Sequence, residues 1–145
     1  MTIAYTCYVN SEGLKSFKKA LLVDDDPMTN VLNQRLFERY EVASEVDIVT
    51  NGQEAIDYLE ELGKDEMPDL ILLDLNMPVV DGFGFMKIYN ERFAEHAGCM
   101  ILLMLTDQTN ETIVKRAKTE FGIDQFIGKP LNKDKVEEIR LKYLK

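Results

Sequence analysis

The sequence is short of cysteine, histidine, basic residues and long apolar runs, and each shortage removes a class of function. Only Cys7 and Cys99 occur among 145 residues, and they form no Cys-x-x-Cys pair. A disulfide framework, a thiol redox motif and a zinc site are therefore not expected, and a reducing, cytoplasmic compartment fits. His96 is the single histidine. It reads as a surface residue. No apolar stretch approaches the roughly 20 residues that span a bilayer, so no membrane partner is expected. Lys and Arg number 17 against 26 Asp and Glu, a net charge of −9. That is the wrong balance for a binder of polyanions, and no direct nucleic-acid partner is expected.

What is present describes a single globular domain: 46% of residues are hydrophobic and 30% charged, which is neither disordered nor membranous. The start, Met1 to Val9, is mildly apolar but has no basic region and no cleavage signal, so it is not read as a signal peptide. Residues 1–18 read as an N-terminal extension and residues 19–145 as the domain. The charge is uneven, +2 over residues 1–20, −13 over 21–100 and +2 over 101–145. The excess acid is concentrated in the middle segment.

From Lys19 onward short apolar runs alternate with helical periodicity. Ala20–Val23, Leu70–Leu73 and Met100–Leu105 are continuous apolar runs, as expected of parallel strands buried on both faces. Val46–Val49 carries a charge and Gln125–Gly128 is short, so both suit the edges of the sheet. Between the runs lie helices with readable ends. Asp26 and Pro27 form a cap and first position, followed by Met28, Val31, Leu32, Leu36 and Tyr40 as the core stripe. A second helix starts at Asn51-Gly-Gln-Glu54, buries Ala55, Ile56, Leu59 and Leu62, and stops at Gly63. Others follow from Gly82 (Phe85, Met86, Tyr89, Phe93), from about Asn110 (Ile113, Val114, Ala117) and from Asn132 (Val136, Ile139, Tyr143). Five strand-helix units imply an α/β fold, a doubly wound parallel sheet with helices on both faces.

Ligands of such sheets bind beyond the carboxyl ends of the strands. Those ends carry Asp24 and Asp25 after the first strand, Asp74 after the third, Thr106 after the fourth and Lys129 after the fifth. Three converging carboxylates repel one another, so either one pKa rises or a cation neutralises them. An oxygen-only set without His or Cys suits a hard ion, and one that leaves room for water and phosphate suits Mg²⁺ over Ca²⁺. A carboxylate is itself a nucleophile able to form an aspartyl-phosphate. Mg²⁺, the Lys129 ammonium and the Thr106 hydroxyl supply the charge and donors that phosphoryl transfer needs.

Val23-Asp24-Asp25, the stretch Asp74-Leu-Asn-Met-Pro-Val-Val-Asp-Gly82, Leu105-Thr106 and Gly128-Lys129-Pro130 together resemble the CheY-like receiver domain of two-component response regulators. The resemblance covers residues 19–145. It implies a flavodoxin-like (βα)5 fold with five parallel strands in the order 2-1-3-4-5. It implies that Asp74 accepts a phosphoryl group from the phosphohistidine of a sensor histidine kinase or phosphotransfer protein. Asp24, Asp25, Asp74 and the main-chain carbonyl of Asn76 would hold Mg²⁺. Thr106 would bond the phosphoryl group, and Lys129 would pair with it through a cis peptide to Pro130. Thr106 and Phe126 would be the switch pair, reshaping the face made by the fourth helix, the fifth strand and the fifth helix, where a downstream protein or a second copy as a homodimer would dock. A protein of this kind is not a turnover enzyme; it catalyses only its own phosphorylation and dephosphorylation. No output segment follows Lys145 in this sequence, so output is expected through docking.

One departure concerns Asp107, where the family usually has a small residue such as Ala. The extra charge and bulk are expected to slow labelling by acetyl phosphate relative to Asp107→Ala. Asn76 and Gln108 fall where family members tune dephosphorylation. An aspartate-nucleophile Mg²⁺ phosphatase would use similar chemistry, but its Asp-x-Asp-x-Thr pattern is not met by Asp74-Leu-Asn76-Met-Pro78. A flavodoxin-type electron carrier would need hydroxyls and glycines where Asp24-Asp-Asp-Pro27 stands. Gly82-Phe-Gly84 lacks the last glycine of a dinucleotide fingerprint and reads as a helix start.

Overall fold

The three continuous apolar runs become the three inner strands of one sheet. The computed structural model describes residues 7–9, 15–63, 66–75, 77, 80–93, 99–106 and 111–144. Among these, the strands are β1 (Cys7–Val9), β2 (Lys15–Val23), β3 (Ala43–Val49), β4 (Leu70–Asp74), β5 (Met100–Leu105) and β6 (Phe126–Gly128). The helices are α1 (Pro27–Arg39), α2 (Gly52–Glu61), α3 (Gly82–Arg92), α4 (Glu111–Phe121) and α5 (Lys133–Tyr143). The parallel strands lie in the order β3-β2-β4-β5-β6, which is 2-1-3-4-5 when counted from β2. β3 and β6, the charged run and the short run, are the edges of this parallel set.

Alternation within each strand divides the core in two. Leu21, Val23, Ile71, Leu73, Leu103 and Leu105 face Ile56 and Leu59 of α2, Phe85 and Tyr89 of α3, and Ala117 of α4. Ala20, Leu22, Leu70, Leu72, Leu102 and Met104 face Phe37 of α1 and Val136 and Ile139 of α5. The strands are buried on both faces, which is why they read as unbroken apolar runs. Helix ends also fall where the residues place them. Asp26, Asn51 and Asn132 cap α1, α2 and α5, each accepting a first-turn N–H, and Gly122 closes α4 at φ +70, a backbone angle that glycine tolerates best.

One helix stripe is corrected. In α1 the residues facing the sheet are Asn30, Asn33 and Phe37, whereas Met28 is 65% exposed, Leu32 52% and Val31 37%; Leu36 and Tyr40 are half-buried. Polar ties set the rotation of this helix. Asn30 Nδ2 donates to the carbonyls of Asp24 (2.7 Å) and Val49 (3.3 Å), and Gln34 Nε2 donates to the Val46 carbonyl at 3.2 Å. Those bonds turn the 30–33–37 row inward at helical spacing and leave the more apolar row in water.

The sheet also continues beyond the expected first strand. β2 begins at Lys15, and β1 pairs antiparallel with it from Cys7↔Phe17 to Val9↔Lys15. Phe17 also pairs with Ala43 of β3, so β1 lies on the β4 side of β2, ahead of the point where Leu70 meets Ala20. Between β1 and β4 the N–H groups of Lys18 and Lys19 need another acceptor. The carboxylate of Asp69 fills that gap, Oδ2 accepting from Lys18 N at 2.9 Å and Lys19 N at 3.1 Å.

Candidate functional site

Register brings the strand ends level. Val23 stands opposite both Val49 and Leu73, Asp74 opposite Met104, and Leu105 opposite Gly128, so the residues that follow open on one crevice. Asp24 is 1% exposed and Asp74 4%, while Asp25 faces solvent. One carboxylate oxygen from each of Asp24, Asp25 and Asp74 lies within 4.8 Å of the others. Lys129, reached directly from β6, sets its Nζ 3.0 Å from Asp24 Oδ2 and 3.0 Å from Asp74 Oδ1. Burial pushes the Lys129 ammonium down, but hydrogen bonds and charge from Asp74 and Asp24 outweigh it and hold its pKa above the ordinary lysine value.

The loops that carry these groups are tied down by backbone bonds. Asp26 N–H donates to Asp24 Oδ1 at 2.9 Å, while the Asp26 carboxylate turns to the helix and accepts from Met28 N and the Thr29 hydroxyl. The Thr29 hydroxyl, with the Met28 N–H, holds the Asp26 carboxyl below its ordinary range. Behind Asp74, Gly82 N–H donates to the Leu75 carbonyl at 2.9 Å. A Cβ at Gly82 would stand 2.8 Å from the Asp74 carbonyl oxygen and 2.8 Å from Leu75 Cα, so glycine permits the close approach that seats the loop after Asp74. Lys129 N–H donates to the Leu105 carbonyl at 2.9 Å, and the Lys129–Pro130 peptide is cis. Lys135, one turn into α5, clamps this corner, its Nζ donating to the Gly128 carbonyl (2.8 Å) and the Pro130 carbonyl (3.0 Å).

Four of the residues singled out from the sequence thus meet: Asp24, Asp25, Asp74 and Lys129. Thr106 directly follows β5 and is exposed; among the described residues it makes no hydrogen bond to the cluster. Phe126 opens β6 opposite Leu103, half-buried against the α3–α4 side of the core. Asn76, His96, Asp107 and Gln108 lie outside the described residues. The clamp of Lys135 and the backbone tie made by Asn30 were not foreseen, because both act on carbonyls and a bond to backbone leaves no spacing pattern in a sequence.

The donor set fits a hard divalent cation: three carboxylates, two of them buried, with no His or Cys in the group. Their formal charge of three against one ammonium leaves room for a cation that Lys129 alone does not supply. Among the described residues no helix is long and apolar enough to cross a membrane.

The comparisons with known proteins agree with this geometry. A family model described as the response regulator receiver domain matches residues 20–140. The chemotaxis protein CheY of Halobacterium salinarum is 35% identical over 120 residues, covering 82% of this chain and 90% of that protein. The response regulator DctR of Halalkalibacterium halodurans is 26% identical over 125 residues, covering 86% of this chain; the chain spans half the length of that relative. Among solved structures, a two-component response regulator from Cytophaga hutchinsonii superposes with a TM-score of 0.76 at 25% identity, covering 89% of this chain and 98% of that one.

Proposed function

The chain belongs to the response regulator receiver domain family of two-component signalling, and from that premise we propose that Asp74 is its phosphoacceptor. The observation that carries the reading is the position of Lys129 Nζ, 3.0 Å from both Asp24 Oδ2 and Asp74 Oδ1, in a cluster of three carboxylates. A carboxylate oxygen of Asp74 attacks the phosphorus of a phosphohistidine on a sensor kinase or phosphotransfer protein. The new P–O bond forms as the P–N bond breaks, and the imidazole leaves with the electron pair and takes up a proton. Lys129 follows the developing negative charge from the carboxylate to the phosphoryl oxygens, and the Thr106 hydroxyl donates to one of them. Asp24, Asp25 and Asp74, with the Asn76 carbonyl, would hold Mg²⁺, which supplies charge neutralisation and a template for the transferring group. Attack by water later releases inorganic phosphate and restores the Asp74 carboxylate.

The phosphoryl group adds about −1.5 to −2 charges at the strand ends, which biases the arrangement of Thr106 and Phe126. The face of α4, β6 and α5 then presents a changed surface to a downstream protein or a second copy. The responding unit is taken as residues 19–145, with 1–18 ahead of it, in a cytoplasmic setting. The test is intact mass after incubation with Mg²⁺ and either acetyl phosphate or a phosphohistidine donor. One phosphoryl adduct, labile to hydroxylamine and absent from Asp74→Asn, is expected. No adduct with either donor, or the same adduct on Asp74→Asn, overturns the assignment.

A further inference from the structure

A buried amide stands directly behind the acidic pair. Asn30, the fourth residue of α1, is completely buried. Helical side chains lean toward the N-terminus of their helix, so its amide reaches back over the Asp26 cap to the end of β2. Nδ2 donates to the Asp24 carbonyl at 2.7 Å and to the Val49 carbonyl at 3.3 Å, and the Asp24 N–H donates to that same Val49 carbonyl at 3.3 Å. Its Oδ1 is buried with no hydrogen-bond partner. An asparagine that forfeits its acceptor inside a helix, where leucine is the better helix former, is held there for its donors.

The shorter of these two bonds acts on the peptide plane that joins Asp24 to Asp25. The Asp24 carbonyl and the Asp25 N–H belong to the same planar unit, so pinning that carbonyl fixes the direction in which the Asp25 side chain leaves the backbone. Asp25 needs this more than its neighbours do. The Asp24 carboxylate is held by the Asp26 N–H and Lys129, and Asp74 by Lys129, whereas no described residue bonds to or pairs with the exposed Asp25 carboxylate. Its place within 4.8 Å of the other two is set by the backbone.

We propose that Asn30 is a positioning residue for the metal site: by tying the Asp24–Asp25 peptide to the end of β3, it aims the Asp25 carboxylate at the cation shared with Asp24 and Asp74. This rests on reading the cluster as a Mg²⁺ site. The test compares the full chain with Asn30→Leu, which matches the size of the amide without its donors, and with Asn30→Ser, in case the apolar side chain prevents folding. Mg²⁺ affinity is read by titration calorimetry on folded protein, and urea unfolding is read separately in EDTA. Loss of a partner that orients a ligand weakens metal binding about 10- to 100-fold, and a tenfold loss or more is expected here. Asp25→Asn should cost less affinity in the Asn30→Leu background than in wild type, because the two changes act on one carboxylate. Unchanged Mg²⁺ affinity in the folded Asn30 variants, or losses that simply multiply, overturns the proposal even if the unfolding midpoint falls. Absence of Mg²⁺ binding in wild type overturns the site reading itself, a result distinguishable from the first.

Discussion

At the amino end of the sheet the carboxylate of Asp69, in a residue 8% exposed, accepts two backbone N–H groups that no strand covers. At the carboxyl end Asp24 and Asp74, 1% and 4% exposed, face each other and Asp25 across one ammonium. Both ends bury acid, but on different terms. Asp69 is satisfied by the fold itself, closing the seam between β1 and β4. The strand-end acids remain short of positive charge after folding is complete, and a group left in that state is suited to a cation and a phosphoryl group that come and go. Charge left unbalanced by the fold in this way is what marks a functional site against a structural one.

The largest effects should separate the two ends by whether Mg²⁺ repairs them. Removing one partner of a buried ion pair costs 3–5 kcal/mol, and since the Lys129 side chain is 22% exposed, Lys129→Met is expected near the low end, about 3 kcal/mol in EDTA. Urea unfolding with added Mg²⁺ should recover much of that loss. Asp69→Ala orphans two N–H donors and should cost about 2–3 kcal/mol, with no recovery by Mg²⁺. Equal recovery for both variants would erase the contrast. Gly82→Ala forces a Cβ to 2.8 Å from the Asp74 carbonyl and should cost about 2 kcal/mol, while also slowing phosphorylation, because the loop behind Asp74 must shift. An equally stable and equally reactive Gly82→Ala would mean that the approach is not needed.

The smallest effect is one of pH. Burial, opposed by the N–H bonds from Lys19 and Lys18, holds the Asp69 carboxyl above its ordinary value of 3.8. A group whose pKa is raised by folding contributes its full stability below the unfolded value and loses it as pH climbs through the folded value. Asp69→Asn keeps an oxygen acceptor but cannot titrate, so its stability relative to wild type should improve as pH rises from about 4. A constant difference across that range, read from urea midpoints, would show that Asp69 titrates alike in both states.

The same contrast explains what the sequence makes legible. Asp24, Asp25, Asp74 and Thr106 can be read because parallel strands buried on both faces are unbroken apolar runs, so the residues that end them stand out; Lys129 instead ends the short edge run Gln125–Gly128. The edge strands β3 and β6 are legible for the complementary reason, one by its charge and one by its shortness. Asp69 also stands at a strand boundary, yet its partners are backbone N–H groups of Lys18 and Lys19, which carry no residue-specific signal. Lys15–Phe17 fall within the residues read as an N-terminal extension because the paired lysines that follow interrupt the apolar run of β2. In α1, apolar spacing points to Met28, Val31 and Leu32, but the side-chain bonds of Asn30 to carbonyls at the ends of β2 and β3, and of Gln34 to the Val46 carbonyl within β3, rotate the helix the other way. Burial of polar groups for backbone contacts is the part that hydrophobic periodicity misses.

The account rests on the claim that the carboxyl-end acids await a cation and the amino-end acid does not. A Mg²⁺ titration of thermal unfolding tests this most directly, since a ligand that binds only the folded chain raises its midpoint with concentration. Wild type and Asp69→Asn should gain in parallel, whereas Asp25→Asn and Asp74→Asn should gain little. A midpoint in wild type that does not move with Mg²⁺, or one that rises equally in all four proteins, would contradict it.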